Sequence, residues 1–177
     1  VPITIDFLDL DTRLDWVSLP VDPADPAKGS ARFQLQDIPY AKWQSLMMEV
    51  LSSAEQLQKA LDALRQSESE QGTKVFGEAL SRVLRANTEV VRWGVANHDE
   101  IATASGVVAF EAESVSFDGV QYKVASAKML RLYTIIGRDN RGGSTLLAQL
   151  TAAIRRHQGG EAQPALEALW TSASSNE

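Results

Sequence analysis

The longest regular pattern in the chain is a row of apolar positions at spacings of four and three. Trp43, Met47, Val50, Ala54, Leu57, Leu61 and Leu64 form it, with Glu49, Glu55, Lys59 and Asp62 on the other faces. An α-helix stacks residues three and four apart on one side, so the row predicts a single long amphipathic helix. Asp37 and Pro39 mark its start: a carboxylate suited to capping free amides, and a proline whose missing N–H costs nothing in a first turn. The polar stretch from Gln66 to Gly72 ends it, and the same period returns with Phe76, Leu80, Val83, Asn87 and Val90 up to Trp93 and Gly94. Two long helices joined by a short polar turn predict an antiparallel helix hairpin over 37–95.

On either side of the hairpin the period falls to two, the period of a strand. Ile3, Ile5 and Phe7 alternate with Thr4 and Asp6, and Phe33 and Leu35 alternate with Arg32, Gln34 and Gln36. These two runs are expected to pair across an exposed loop at 20–30, where Pro20, Pro23, Pro26 and Gly29 forbid regular structure. Val115 and Phe117 precede Asp118-Gly119, and Val120, Tyr122 and Val124 follow it, which predicts a β-hairpin because Asp-Gly accepts the positive φ angles of a two-residue turn. Val107 to Phe110 is read as a further strand. Ser126 is placed to cap a helix carrying Met129, Leu130, Leu132, Tyr133 and Ile136, closed by Gly137. Ser144 is placed to cap another, carrying Leu146, Leu147, Leu150, Ala153, Ile154 and His157, which Gly159-Gly160 stops. Pro164 opens a brief helix around Leu166, Leu169 and Trp170, and the serine-rich end is expected to fray. The fold class is therefore α+β, predominantly helical, in a single domain over 1–177. Within it lie a β-rich segment with a Pro-rich loop (1–36), the helix hairpin (37–95), a β-hairpin plus helices (96–158), and a short helix with a frayed tail (159–177).

Composition narrows the chemistry more than the fold. With 44% hydrophobic and 23% charged residues in a 177-residue chain, a packed core is expected and disorder of the whole chain is excluded. The absence of cysteine removes disulfides, thiolate metal sites, iron–sulfur clusters and cysteine nucleophiles. A net charge of −6 argues against nucleic acid or an anionic membrane as partner. No uninterrupted apolar run approaches a membrane span, and Asp6, Asp9, Asp11 and Asp15 stand where a signal peptide would carry basic residues, so a cytoplasmic protein is expected.

The net charge conceals a segregation. Residues 1–39 carry −4, 40–95 are balanced at seven basic and seven acidic, 96–125 carry −4, and 126–160 carry +5 through Lys128, Arg131, Arg138, Arg141, Arg155 and Arg156 against Asp139 alone. Such runs are first of all solvated faces, but opposite signs on one small protein also orient it against a partner. Arginine suits bidentate contact with carboxylates, so Arg138, Arg141, Arg155 and Arg156 are candidates for docking an acidic face on a protein partner or on another copy of the chain. Trp43 and Met47, with Met48, are core by default and form an adaptable groove for a partner helix in the alternative reading.

Motifs for catalysis are weak. Gly137-Arg-Asp-Asn-Arg-Gly142-Gly143-Ser144 has glycines spaced as in a phosphate loop, yet Gly143 stands where the lysine belongs and a helix is expected before it. Asn97-His98-Asp99-Glu100 clusters an imidazole with two carboxylates, the basis for an alternative reading as a small hydrolase or metal enzyme. Neighbours along an extended segment point in opposite directions, so His98 is read instead as structural, with its imidazolium capping the negative end of the helix at Trp93-Gly94. No Gly-x-Ser-x-Gly elbow and no calcium loop are present. No catalytic residue, metal or cofactor is expected.

Val90-Val91-Arg92-Trp93-Gly94-Val95-Ala96-Asn97-His98 closing a helix, then Gly106 with Phe110 four residues on, then a helical C-terminal stretch, resembles small tail assembly proteins of long-tailed bacteriophages. The likeness spans about residues 75–158 and is carried by Trp93, Gly94, Val95, His98, Gly106 and Phe110, with Asn97 where a glycine is commoner. It implies a non-enzymatic chaperone in the infected host's cytoplasm that keeps the tape-measure protein soluble while the tail tube forms. A structural virion component, such as a neck or connector subunit, is the alternative. Trp93, Gly94, His98 and Phe110 are expected to act as structural anchors rather than ligand contacts.

Overall fold

The structure, a computed structural model, describes residues 16–66, 69–99, 101–138 and 145–159. The strand expected over 3–8, the brief helix around Leu166 and Trp170, and the tail after it lie outside the described residues, as do Glu100 and residues 139–144. The fold is α+β, with two long antiparallel helices packed together, an antiparallel strand trio and strand hairpins.

Strands β1 (Trp16–Pro20) and β2 (Ser30–Leu35) pair antiparallel around a loop that is closed by Val21 N–H donating to Gly29 O at 3.0 Å. Gly29 turns the chain at φ +74°, and the Asp22 carboxylate takes Ala24 N–H at 3.0 Å and Lys28 Nζ at 2.8 Å. The other edge of β2 is taken by β3 (Val95–Asp99), with Phe33 opposite His98 and a bulge between Gln34 and Leu35. Both edges of β2 are thus occupied, which corrects the expected pairing of β2 with residues 3–8. Trp16–Pro20 stands one short loop away, and a short loop costs less entropy to close.

The helix hairpin consists of α1 (Tyr40–Gln66) and α2 (Glu70–Gly94). Pro39 supplies the first helical acceptor, its carbonyl taking Trp43 N–H at 2.8 Å. The Asp37 carboxylate instead lies 2.9 Å from His157 Nε2, so it does not serve as the cap its position in the sequence suggested. Ser69 caps α2 by accepting from Gly72 N–H at 3.0 Å. The chain passes from α2 straight into β3, and Gln36 takes up the carbonyls exposed there: its N–H donates to Gly94 O, and its Nε2 to Trp93 O and Lys123 O.

Beyond β3 the chain makes a two-rung ladder of β4 (Ala102–Thr103) and β5 (Gly106–Val107). The strand expected over 107–110 is thus reduced to its first residue. The longer hairpin of β6 (Ala112–Phe117) and β7 (Val120–Ala125) turns at Asp118 and Gly119, at φ +49° and +77°. Ser126 caps α3 (Ala127–Ile136), and α4 (Thr145–His157) follows. The core lies between the strand trio, the base of the hairpin, α3 and α4. Phe33, Leu35, Val90, Val95, Met129, Tyr133, Leu146, Leu150 and Ile154 are almost fully enclosed in it.

Two glycines are fixed by close approach. A Cβ on Gly94 would stand 2.6 Å from the Ile154 side chain, and one on Gly137 2.4 Å from Leu146 Cβ. Gly137 therefore lets α4 fold back on the end of α3. The segment before the glycine-rich stretch is helix rather than strand, so the stretch lacks the setting of a phosphate loop.

Candidate functional site

His98 sits in β3 with its ring turned inward, 6% exposed. Its Nε2 lies 2.8 Å from Val108 O, and because a carbonyl only accepts, Nε2 carries the proton. Nδ1 then accepts from the Tyr133 hydroxyl at 2.7 Å. Phe110 meets the ring edge-on at 5.5 Å, and Tyr133 packs against both His98 and Phe33. Burial pushes the His98 pKa below its ordinary value, so the ring is neutral and no imidazolium caps α2. That expectation is corrected: the end of α2 is served by Gln36, and His98 links β3, α3 and the 101–110 segment. Burial likewise raises the Tyr133 hydroxyl above its ordinary range, which keeps it a donor.

Asp99, the next residue, points to the opposite side, exposed and 3.9 Å from Arg32. The other histidine, His157, is at the end of α4 beside Asp37. His98 and Asp99 of the hydrolase or metal alternative therefore do not converge, Glu100 lies outside the described residues, and among the described residues no group of three His, Asp or Glu is arranged to hold a metal ion.

Trp93 is 5% exposed, packed against Phe117 at 6.0 Å and Tyr122 at 5.7 Å, with Lys42 Nζ 5.0 Å above its ring. Arg92, beside it, ties α2 to β6 through Glu113 and also pairs with Glu89.

The surface residues divide differently from their expected grouping. Trp43 and Met47 are half-buried against the core. The apolar side chains that α1 presents outward are Tyr40, Met48 and Leu51, at 74%, 70% and 44% exposure. Sequence period alone placed Met48 beside Met47 without telling inside from outside at the helix start, where the neighbouring strands set the angle of packing.

Of the four arginines, Arg138 is exposed just beyond α3, and Arg141 lies outside the described residues. Arg155 and Arg156 follow one another at the end of α4. Arg156 faces solvent beside a groove of about 510 Å³ that Val17, Leu19, Leu35, Ala153 and His157 also line. Arg155 is half-buried, its Nε has no hydrogen-bond partner, and burial lowers its pKa. Among the described residues no carboxylate pairs with it, and a desolvated guanidinium gains from an acidic group brought to it. The described residues therefore hold Arg155 and Arg156 together and Arg138 on a separate helix end.

No helix of the described residues is long and apolar enough to cross a membrane. Comparison with protein-family models, with curated proteins and with solved structures finds no match to this chain.

Proposed function

We propose that this protein is a non-enzymatic phage tail assembly factor, a chaperone-like partner that holds the tape-measure protein in the host cytoplasm while the tail is built. The observation that carries the reading is the outward apolar row of Tyr40, Met48 and Leu51 on a helix whose inner face is already packed. The three residues share one side of α1, and an amphipathic partner helix is the complement of such a row. Methionine adapts its shape to varied partners, which suits a protein that holds a long chain in transit. The enclosure of His98 and the divergence of Asp99 favour binding over catalysis. The resemblance through Trp93, Gly94, Val95, His98, Gly106 and Phe110 supplies the particular partner.

Co-expression with a tape-measure protein tests this. The chain is expected to raise the soluble fraction of that protein, and Met48→Glu with Leu51→Glu to abolish the effect while leaving the melting temperature of the chain within a few degrees. Finished particles are expected to lack the protein. Its retention there in fixed stoichiometry would make it a virion component, and an unchanged soluble fraction would end the chaperone reading.

A further inference from the structure

Among the described residues β1 is the outermost strand of its sheet, with β2 on one side and no strand on the other. Val21 N–H donates to Gly29 O, and in an antiparallel ladder every second residue bonds across, so Leu19 and Val17 bond to β2. Trp16, Ser18 and Pro20 therefore turn their backbone groups outward. Pro20 has no N–H, and its carbonyl accepts from Gln149 Nε2 of α4 at 2.9 Å, which closes that end of the edge. The edge stands open at Trp16 and Ser18.

The groove of about 510 Å³ beside Arg156 runs along this edge. Val17 and Leu19 face inward with Phe33 and Ala31, their partners on β2, whereas Ser18 faces the other way; a groove lined by Val17, Ser18 and Leu19 together reaches round the open side of the strand. Ala153 and Arg156 form the opposite wall, and Val17 and Leu19 remain half-buried beneath it. Because Gln149 meets Pro20, Arg156, two turns further along α4, stands toward the Trp16 end.

We propose that residues 3–8 of this same chain add to the outer edge of β1, antiparallel, as a fourth strand whose Ile5 and Phe7 fill the groove against α4. Three observations select this occupant.

The first is pattern. Setting Leu8 opposite Trp16 places Phe7 beside Val17 and Ile5 beside Leu19 on the inward face, and Asp6 beside Ser18 on the outward face. Leu8, which breaks the alternation of its own segment, then lies against the exposed Trp16. A slip of one residue would turn Ile5 and Phe7 to solvent. A slip of two toward Pro20 would pair Asp6 with a residue that has no N–H and a carbonyl already taken.

The second is the tether. Residues 9–15 link the segment to β1 and join it at the Trp16 end, where the edge is open, so the return is antiparallel and the loop to close is short.

The third is charge. Residues 1–15 hold Asp6, Asp9, Asp11 and Asp15 against Arg13 alone, and the link leaves β1 at the end where Arg156 stands, in the net positive stretch of the chain.

Amide hydrogen exchange of the full chain, read by NMR, tests the edge directly. The Ser18 N–H is expected to be protected, and Ile5→Asp with Phe7→Asp to speed its exchange at least about tenfold, while Leu19 N–H, bonded to β2, keeps its protection and shows that the fold persists. The register is read by thiols, since the chain has no cysteine. Asp6→Cys with Ser18→Cys makes a directly opposed pair about 5.5 Å apart at Cα, within disulfide range, and should cross-link within one chain on oxidation. Thr4→Cys with Ser18→Cys, about 7–8 Å apart, should do so at least about tenfold more slowly. A Ser18 N–H that exchanges freely in the unaltered chain would overturn the proposal, leaving the edge for another protein. Protection that the double aspartate variant leaves intact would overturn it as well, as would equal cross-linking of the two thiol pairs. Cross-links found between chains, with Ser18 protection lost on dilution, would give the edge to a second copy instead.

Discussion

A neutral histidine enclosed between a tyrosine hydroxyl and a backbone carbonyl gives this protein an acid-sensitive element. The His98 pKa is lower in the fold than in the unfolded chain, so the unfolded state takes up the proton first as pH falls. The stabilisation from His98 is thus present above the ordinary histidine value of about 6.5 and is lost as pH drops below it. Asp22, Glu55 and Glu111 are shifted downward by their lysine partners, and what they contribute is lost only at lower pH, as pH falls through the carboxylate range. Two separate windows are expected in a plot of melting temperature against pH. Replacing His98 with glutamine should remove the one that opens as pH falls below about 6.5 and leave the acid one. A profile unchanged by His98→Gln would show that the imidazole is not the titrating group. The residue type was visible in the sequence, but its role was not: Tyr133 and Val108 are 35 and 10 residues away along the chain, and no local pattern links them to His98.

At the scale of elements, the junction of α2 with β3 is the most constrained point. Gly94 passes so close to Ile154 that no side chain fits between α2 and α4. Gly94→Ala is expected to destabilise the fold by about 1–3 kcal/mol, the usual cost of overpacking, measured by urea denaturation. The double variant Gly94→Ala, Ile154→Val should recover part of that loss, because shortening the isoleucine returns room to the new methyl; a double variant no more stable than the single one would place the strain elsewhere. The elements with long, regular patterns were legible in advance: the helix hairpin, the Asp118-Gly119 turn, and α3 and α4. Those missed were short or polar. β1 spans five residues, and β3, with Asn97, His98 and Asp99, carries no alternation that marks a strand. What makes β3 a strand is its ladder to β2, which depends on a partner 60 residues earlier in the chain.

For the whole molecule, the separation of charges predicts how a partner is met. Arg155 and Arg156 are adjacent at the end of α4, with one guanidinium half-buried and the other exposed. Exposed ion pairs are worth only about 0–1 kcal/mol, so these groups should govern orientation and association rate while apolar contact supplies affinity. Replacing Arg138 and Arg156 with glutamine is expected to slow association with an acidic partner several-fold at low salt and to flatten the salt dependence, with melting temperature nearly unchanged. Stopped-flow association at low and high ionic strength measures this, and equal rates for both proteins would leave the arginines as an ordinary solvated face.

The sequence by itself determined the class of the fold and its longest elements, because helical period, capping serines and an Asp-Gly turn are properties of neighbouring residues. It also set the separation of charge along the chain. Tertiary structure decided which strands flank β2, that His98 is a buried neutral link rather than a helix cap, and that Trp43 and Met47 turn inward while Tyr40, Met48 and Leu51 turn out. Each of these depends on which distant surface arrives at a residue, and burial, ionisation and pairing follow from that encounter rather than from local pattern.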